Sequence, residues 1–69
     1  MSESHRLANA KRQGYEILHD GVPRTFRDRR DTALEAARYG KARHPGDLIE
    51  VRDCETGEKL VILEDGRVG

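Results

Sequence analysis

Aromatic side chains are scarce in this 69-residue chain, which has two tyrosines, one phenylalanine and no tryptophan. Aromatics bury the most area per residue, so any core must rest on aliphatic side chains and must be thin. Cysteine is scarcer still. Cys54 stands alone and cannot close a disulfide within the chain, which fits a reducing compartment. The most apolar run, Leu60-Val61-Ile62-Leu63, falls far short of the roughly 18 residues that span a bilayer. The N-terminal stretch has no apolar core of the kind a signal segment carries. A cytoplasmic protein without a membrane partner is expected. No glycine-rich loop precedes a helix with the lysine of a phosphate loop, and Thr56-Gly57 reads as a turn. No cofactor is therefore expected.

Net charge is also lacking, because 13 Lys/Arg balance 13 Asp/Glu. The distribution is uneven. Residues 1–46 hold ten basic and six acidic side chains, and residues 47–69 hold three and seven. Two differently charged faces result unless folding interleaves the halves.

One helix organises the remainder. Thr32 to Arg43 carries apolar or small residues at Ala33, Leu34, Ala36, Ala37 and Gly40, the spacing of an amphipathic face. Thr32 with Glu35 has capping-box spacing, and Asp31 is the rival cap. Pro45-Gly46 ends the element. The inner face is made of small residues, which predicts close approach to a sheet, with Gly40 tolerated for that reason. Tyr39 is expected to cover an edge of the packed face.

Residues 1–13 read as a flexible polar tail, and residues 14–69 as one small domain. Tyr15–His19 is the first expected strand. Asp20-Gly21 is a hairpin turn pair, and Val22–Phe26 is the return strand. There Val22, Arg24 and Phe26 alternate with Pro23 and Thr25, so Phe26 is the expected core anchor. Pro23 favours an edge. Leu48–Asp53 and Lys59–Leu63 are the third and fourth strands. The apolar character of the fourth suggests a central or well-covered place, and Arg67-Val68-Gly69 either lies back along the sheet or frays. The fold class is α+β. Its expected form is a four-stranded antiparallel or mixed sheet with one helix across one face, in the order β-β-α-β-β.

Tyr15-Glu16-Ile17 before a turn, Asp31-Thr32-Ala33-Leu34-Glu35-Ala36-Ala37-Arg38 opening the helix, Gly46-Asp47-Leu48-Ile49-Glu50-Val51 entering the next strand, and Asp65-Gly66-Arg67 closing the last hairpin give a pattern over about residues 14–67. It resembles a family of small uncharacterised bacterial domains of β-β-α-β-β type, known as domains of unknown function. The resemblance implies the layout and carries no activity and no site residue.

The basic series is the main candidate site. Arg24, Arg27, Arg29 and Arg30 cluster near the second strand, and Arg38, Lys41, Arg43 and His44 follow on the helix. If Arg24, Arg27, Arg30, Arg38 and Lys41 converge, they form a contact surface for phosphates or other anions. Asp28 and Asp31 dilute that field, and a solvated face laced with ion pairs is the plainer reading. Tyr15 and Phe26 could stack on bases, but a thin core needs them. His5, His19, His44 and Cys54 are metal-ligand types at no recognised spacing, so structural or surface roles are expected and no metal. Carboxylates on both sides of Cys54 disfavour a thiolate. Asp47, Glu50, Asp53, Glu55 and Glu58 read as polar strand faces and turns, without the concave pocket that acid–base work needs. No catalytic residue is expected. The reading is a noncatalytic interaction domain with a protein partner or a second copy of itself as homodimer, the alternative being a weak nucleic-acid-binding accessory domain.

Overall fold

The structure is a computed structural model that describes residues 13–69. The tail expected over residues 1–13 therefore lies outside the described residues, apart from Gln13. The elements are β1 (Tyr15–His19), β2 (Val22–Arg27), α1 (Arg30–Arg43), β3 (Ile49–Asp53) and β4 (Lys59–Val61). The chain has the expected α+β class and β-β-α-β-β order, and every strand pair is antiparallel. Strand order is β2-β1-β3-β4, so the two strands that flank the helix in sequence lie side by side in the centre of the sheet. No helix among the described residues is long and apolar enough to cross a membrane.

Local chemistry accounts for the first hairpin. Asp20 and Gly21 both sit at positive φ, 54° and 84°, which is the backbone of a two-residue turn matched to the strand twist. The turn is tied across the sheet: Asp20 N donates to the Leu48 carbonyl at 2.8 Å, and Leu48 N donates to Asp20 Oδ1 at 3.0 Å. Asp20 is thus fixed from both its backbone and its side chain.

The helix begins earlier than its sequence suggests. Arg29 is the N-cap, with no side-chain cap bond, and the expected Thr32–Glu35 capping box does not form. Ala33 N donates to the Arg29 carbonyl, so Thr32 is already inside the helix, and its hydroxyl bonds back to Arg29 O at 3.1 Å. Asp31 takes part of the capping role from the first turn by accepting from Thr32 N at 2.8 Å, where its charge also suits the helix dipole. His44 closes the far end with its N–H on the Gly40 carbonyl, and Pro45 prevents continuation.

The core lies between α1 and the central strands. Ile17, Ile49, Val51 and Ile62 meet Ala33 and Ala37, with Tyr15, Leu34 and Ala36 packed around them. Ile62 and Val51 are the largest fully buried side chains. The methyl groups of Ala33 and Ala37 hold the helix close to the sheet. Gly40 plays no such part, because a Cβ there would meet nothing within 4 Å. The opposite sheet face carries Glu16 and Arg52, joined by an ion pair, together with buried Leu18 and Glu50.

Two strand assignments are corrected. The fourth strand spans three residues, shorter than the expected Lys59–Leu63, and of the two expected places, central or well-covered, it is not central but an edge strand. Its apolar run serves Ile62, which is buried just beyond the strand, while Leu63 is exposed. The chain then returns over that edge through the Ile62–Val68 bridge and the bond from Gly69 N to Val61 O. The second correction concerns Phe26. A bulge between Ile17 and Leu18 leaves Arg24 without a register partner and breaks the alternation along β2. Thr25 pairs with Ile17 on the helix side, and Phe26 pairs with Glu16 on the other. Half-buried Phe26 covers Gly14, where an added Cβ would fall 2.2 Å from the ring. Gly14 therefore meets two demands, a φ of 137° and contact with an aromatic ring.

Candidate functional site

The helix crosses β3 and β1, meets β2 less, and does not reach β4. Along the β2 flank it turns Thr32, Glu35, Ala36, Tyr39 and Gly40 outward, at intervals of three and four residues. Ala36 and Gly40 are too small to fill the space. Tyr39 is the one large side chain on this flank, but it is 65 % exposed, with its hydroxyl accepting from Arg43 at 3.0 Å and the guanidinium 5.5 Å from its ring centre. On the facing strand Thr25 is likewise short. The result is an open groove of about 620 Å³. Ile17 and Ile49 lie at its base, Arg24 and Arg27 on its β2 rim, and His19 and His44 at one end. Glu35 is the only acidic lining residue among the described residues, so the groove is apolar within and cationic at the rim.

Beside the groove runs the outer edge of β2, which pairs with β1 alone among the described strands. Nearly every β2 residue is exposed. An edge of this kind offers backbone donors and acceptors to another extended chain. Pro23 and the two arginines limit indiscriminate pairing there.

Two stretches of chain, 19–20 and 44–47, meet at the histidine end of the groove. His19 closes β1, Asp20 begins the hairpin turn, His44 ends the helix, and Asp47 lies in the loop entering β3. The His19 Nε2–H donates to Asp47 Oδ2 at 2.7 Å. Asp20 Oδ2 lies 3.8 Å from His19 Nε2, and His44 Nδ1 lies 3.9 Å from Asp47 Oδ2. The two imidazole rings are 5.1 Å apart. Lys41 Nζ donates to the Asp47 main-chain carbonyl at 2.6 Å. The hydrogen bond from His19 holds the Asp47 carboxyl below the usual carboxylate range. Desolvation opposes that shift, and the charges of His19, His44 and Lys41 reinforce it.

The basic series is divided by the fold. Arg24 and Arg27 lie on the groove rim, and Arg30 opens the helix. The side chains of Arg24 and Arg30 make no hydrogen bond or ion pair to other described residues. Arg38 lies on the other helix flank, with its Nε on the Gly66 carbonyl at 2.7 Å, and Lys41 is engaged with Asp47. Arg29 is paired with Asp31 at 3.0 Å. Tyr15 packs against the core on the helix side, whereas Phe26 lies on the opposite sheet face, so the two form no common stacking platform. Cys54 sits at the far end of β3 from His19 and His44, its N–H on Gly14 O. Of the acidic series, Glu50 is buried and Asp53 accepts from Glu55 N and Thr56 N in its turn.

The meeting of His19 with His44 was hidden in the sequence, where 24 residues separate them. The available signals were Asp20-Gly21 directly after His19, and the three-residue step from His44 to Asp47. Neither becomes a constellation until β1 pairs with β3, His19 opposite Ile49. No family model matches the chain, and no curated protein or solved structure matches it either. The functional reading therefore rests on the groove and its surroundings.

Proposed function

We propose that this domain is a noncatalytic binding module that holds an extended acidic segment of a protein partner against β2. The groove carries this reading, because it joins an apolar interior to the Arg24–Arg27 rim and runs beside an open strand edge. A segment added along β2 gains main-chain hydrogen bonds, and alternate side chains enter the groove. Carboxylates on the segment complement Arg24 and Arg27 through charge-assisted bonds.

Selection from displayed random ten-residue peptides tests the reading. Enriched peptides should alternate acidic and apolar residues, and they should shift the amide resonances of Thr25, Ala36, Gly40 and Ile49. The double variant Arg24→Glu, Arg27→Glu should abolish their binding and leave the unfolding midpoint within about 0.5 kcal/mol of wild type. Absence of enrichment, or shifts confined to the opposite sheet face, would refute it. Oligonucleotide binding with a steep salt dependence that needs Arg24, Arg27 and Arg30 would favour a nucleic-acid role instead. A concentration-dependent doubling of mass that masks the β2 amides would make a second copy of the chain the occupant.

A further inference from the structure

We propose that His19, Asp20, His44 and Asp47 form a binding site for a divalent transition-metal ion of the zinc type, at the end of the groove and independent of what the groove itself holds. His19, Asp20 and Asp47 each direct one donor atom to within 4.8 Å of the others. His44 Nδ1, 3.9 Å from Asp47 Oδ2, lies beside this compact group of three and would join it as a fourth ligand by a turn of its side chain. Tetrahedral zinc has bonds of about 2.0–2.2 Å, which places its ligand atoms roughly 3.3–3.6 Å apart. The separations of 2.7 and 3.8 Å from His19 Nε2 to Asp47 and Asp20 bracket that range.

Three features distinguish this cluster from an ordinary surface ion pair. A latch between β1 and the β3 approach needs one donor and one acceptor, yet two imidazoles and two carboxylates gather here from two stretches of chain, 19–20 and 44–47. Asp20 is oriented as a ligand: its Oδ1 is occupied by Leu48 N–H at 3.0 Å, and its Oδ2 faces His19. That backbone bond is the outer-sphere support that metal-bound carboxylates commonly have. The donor chemistry also chooses the metal. Two imidazoles favour zinc, cobalt, nickel or copper over magnesium and calcium, which prefer oxygen alone. Two carboxylates neutralise the dication. Lys41 is the opposing charge, but it bonds to the Asp47 main-chain oxygen and not to its carboxylate. The ion takes the Nε2 position of the proton now shared between His19 and Asp47, and the ring binds as its Nδ1–H tautomer: a neutral imidazole moves its proton to Nδ1 by exchange with solvent, and an imidazolium releases one proton to solvent. The cluster is partly exposed, with His19 at 28 % and Asp47 at 41 % of side-chain accessibility, so the ion has a path in.

The test uses tag-free full-length chain, titrated with Zn²⁺ by calorimetry and with Co²⁺ by visible absorption. One equivalent should bind, give the intense bands of a tetrahedral cobalt site, and shift the resonances of His19, Asp20, His44 and Asp47. His19→Gln, His44→Gln and Asp20→Asn should each lower affinity more than about tenfold. Asp20→Asn preserves the turn and the acceptor for Leu48 N–H, so its spectrum verifies that the fold persists. His5→Gln should bind as wild type does. Absence of saturable binding at 100-fold metal excess would overturn the proposal. Affinity that depends on His5 or Cys54 and survives His19→Gln or Asp20→Asn would overturn it equally.

Discussion

The two flanks of α1 are built from the same helix and meet opposite fates. On the flank away from β2, Leu34 packs against the core cluster, and Arg38 closes the seam by bonding to Gly66 O. Toward β2, Ala36 and Gly40 face Thr25 across open space. Hydrophobic periodicity alone makes these flanks look alike, because Ala36 and Gly40 continue the inner stripe that Ala33 and Ala37 begin. What separates them is side-chain volume. Where branched aliphatic side chains meet alanine methyls, the layers close. Where glycine and alanine meet threonine, they leave a groove.

Substitutions can break this comparison. The largest effect is expected from Ile62→Ala on the closed flank, which should lower stability by about 2–4 kcal/mol through lost burial and a cavity, measured by urea denaturation. Leu34→Ala should cost less, about 1–2 kcal/mol, since Leu34 is only partly buried. A Leu34 loss that equals that of Ile62 would mean the closed flank extends further around the helix than the packing indicates.

The open flank should respond in the other direction. Gly40→Ala should stabilise by about 0.5–1 kcal/mol, because alanine is the better helix former and its Cβ meets nothing within 4 Å. The same change should weaken any peptide selected for the groove. Destabilisation would show that the helix and β2 approach each other more closely in solution.

The smallest effect concerns the start of the helix. The Arg29 hydrogen bond first, and the Thr32 N–H second, hold the Asp31 carboxyl below its ordinary value of 3.8. A depressed folded value contributes stability above the ordinary value and loses it as pH falls through the lower one. Asp31→Asn should therefore be slightly less stable than wild type at pH 7. The difference should vanish in acid, below about pH 4, as followed by thermal melts across pH 2–7. A difference that persists unchanged to pH 2 would assign Asp31's effect to helix propensity.

Much of the local structure was legible in the chain. β1 runs from Tyr15 to His19 as its alternation indicates, and Asp20-Gly21 adopts the turn its dihedral preferences favour. The helix stop at Pro45 was equally plain. Phe26 was misread because one bulge residue reverses the facing of everything beyond it. The central alternative for the fourth strand failed because an apolar run reports burial without reporting position, and one residue, Ile62, is buried just beyond it. The capping box was misread because Arg29 can begin the helix through its carbonyl without any side-chain bond. Among the site residues, Arg24 and Arg27 were visible as charges, but not as neighbours of a groove.

By itself the sequence determined the element types, their order and the turn chemistry, since these follow from backbone sterics and spacing within a few residues. The tertiary structure alone decided that β1 and β3 lie adjacent and that the arginines divide between two helix flanks. It also decided that small residues leave a groove and that His19, Asp20, His44 and Asp47 meet at its end. Those outcomes depend on volumes and registers matched between segments more than 20 residues apart, which no local pattern encodes.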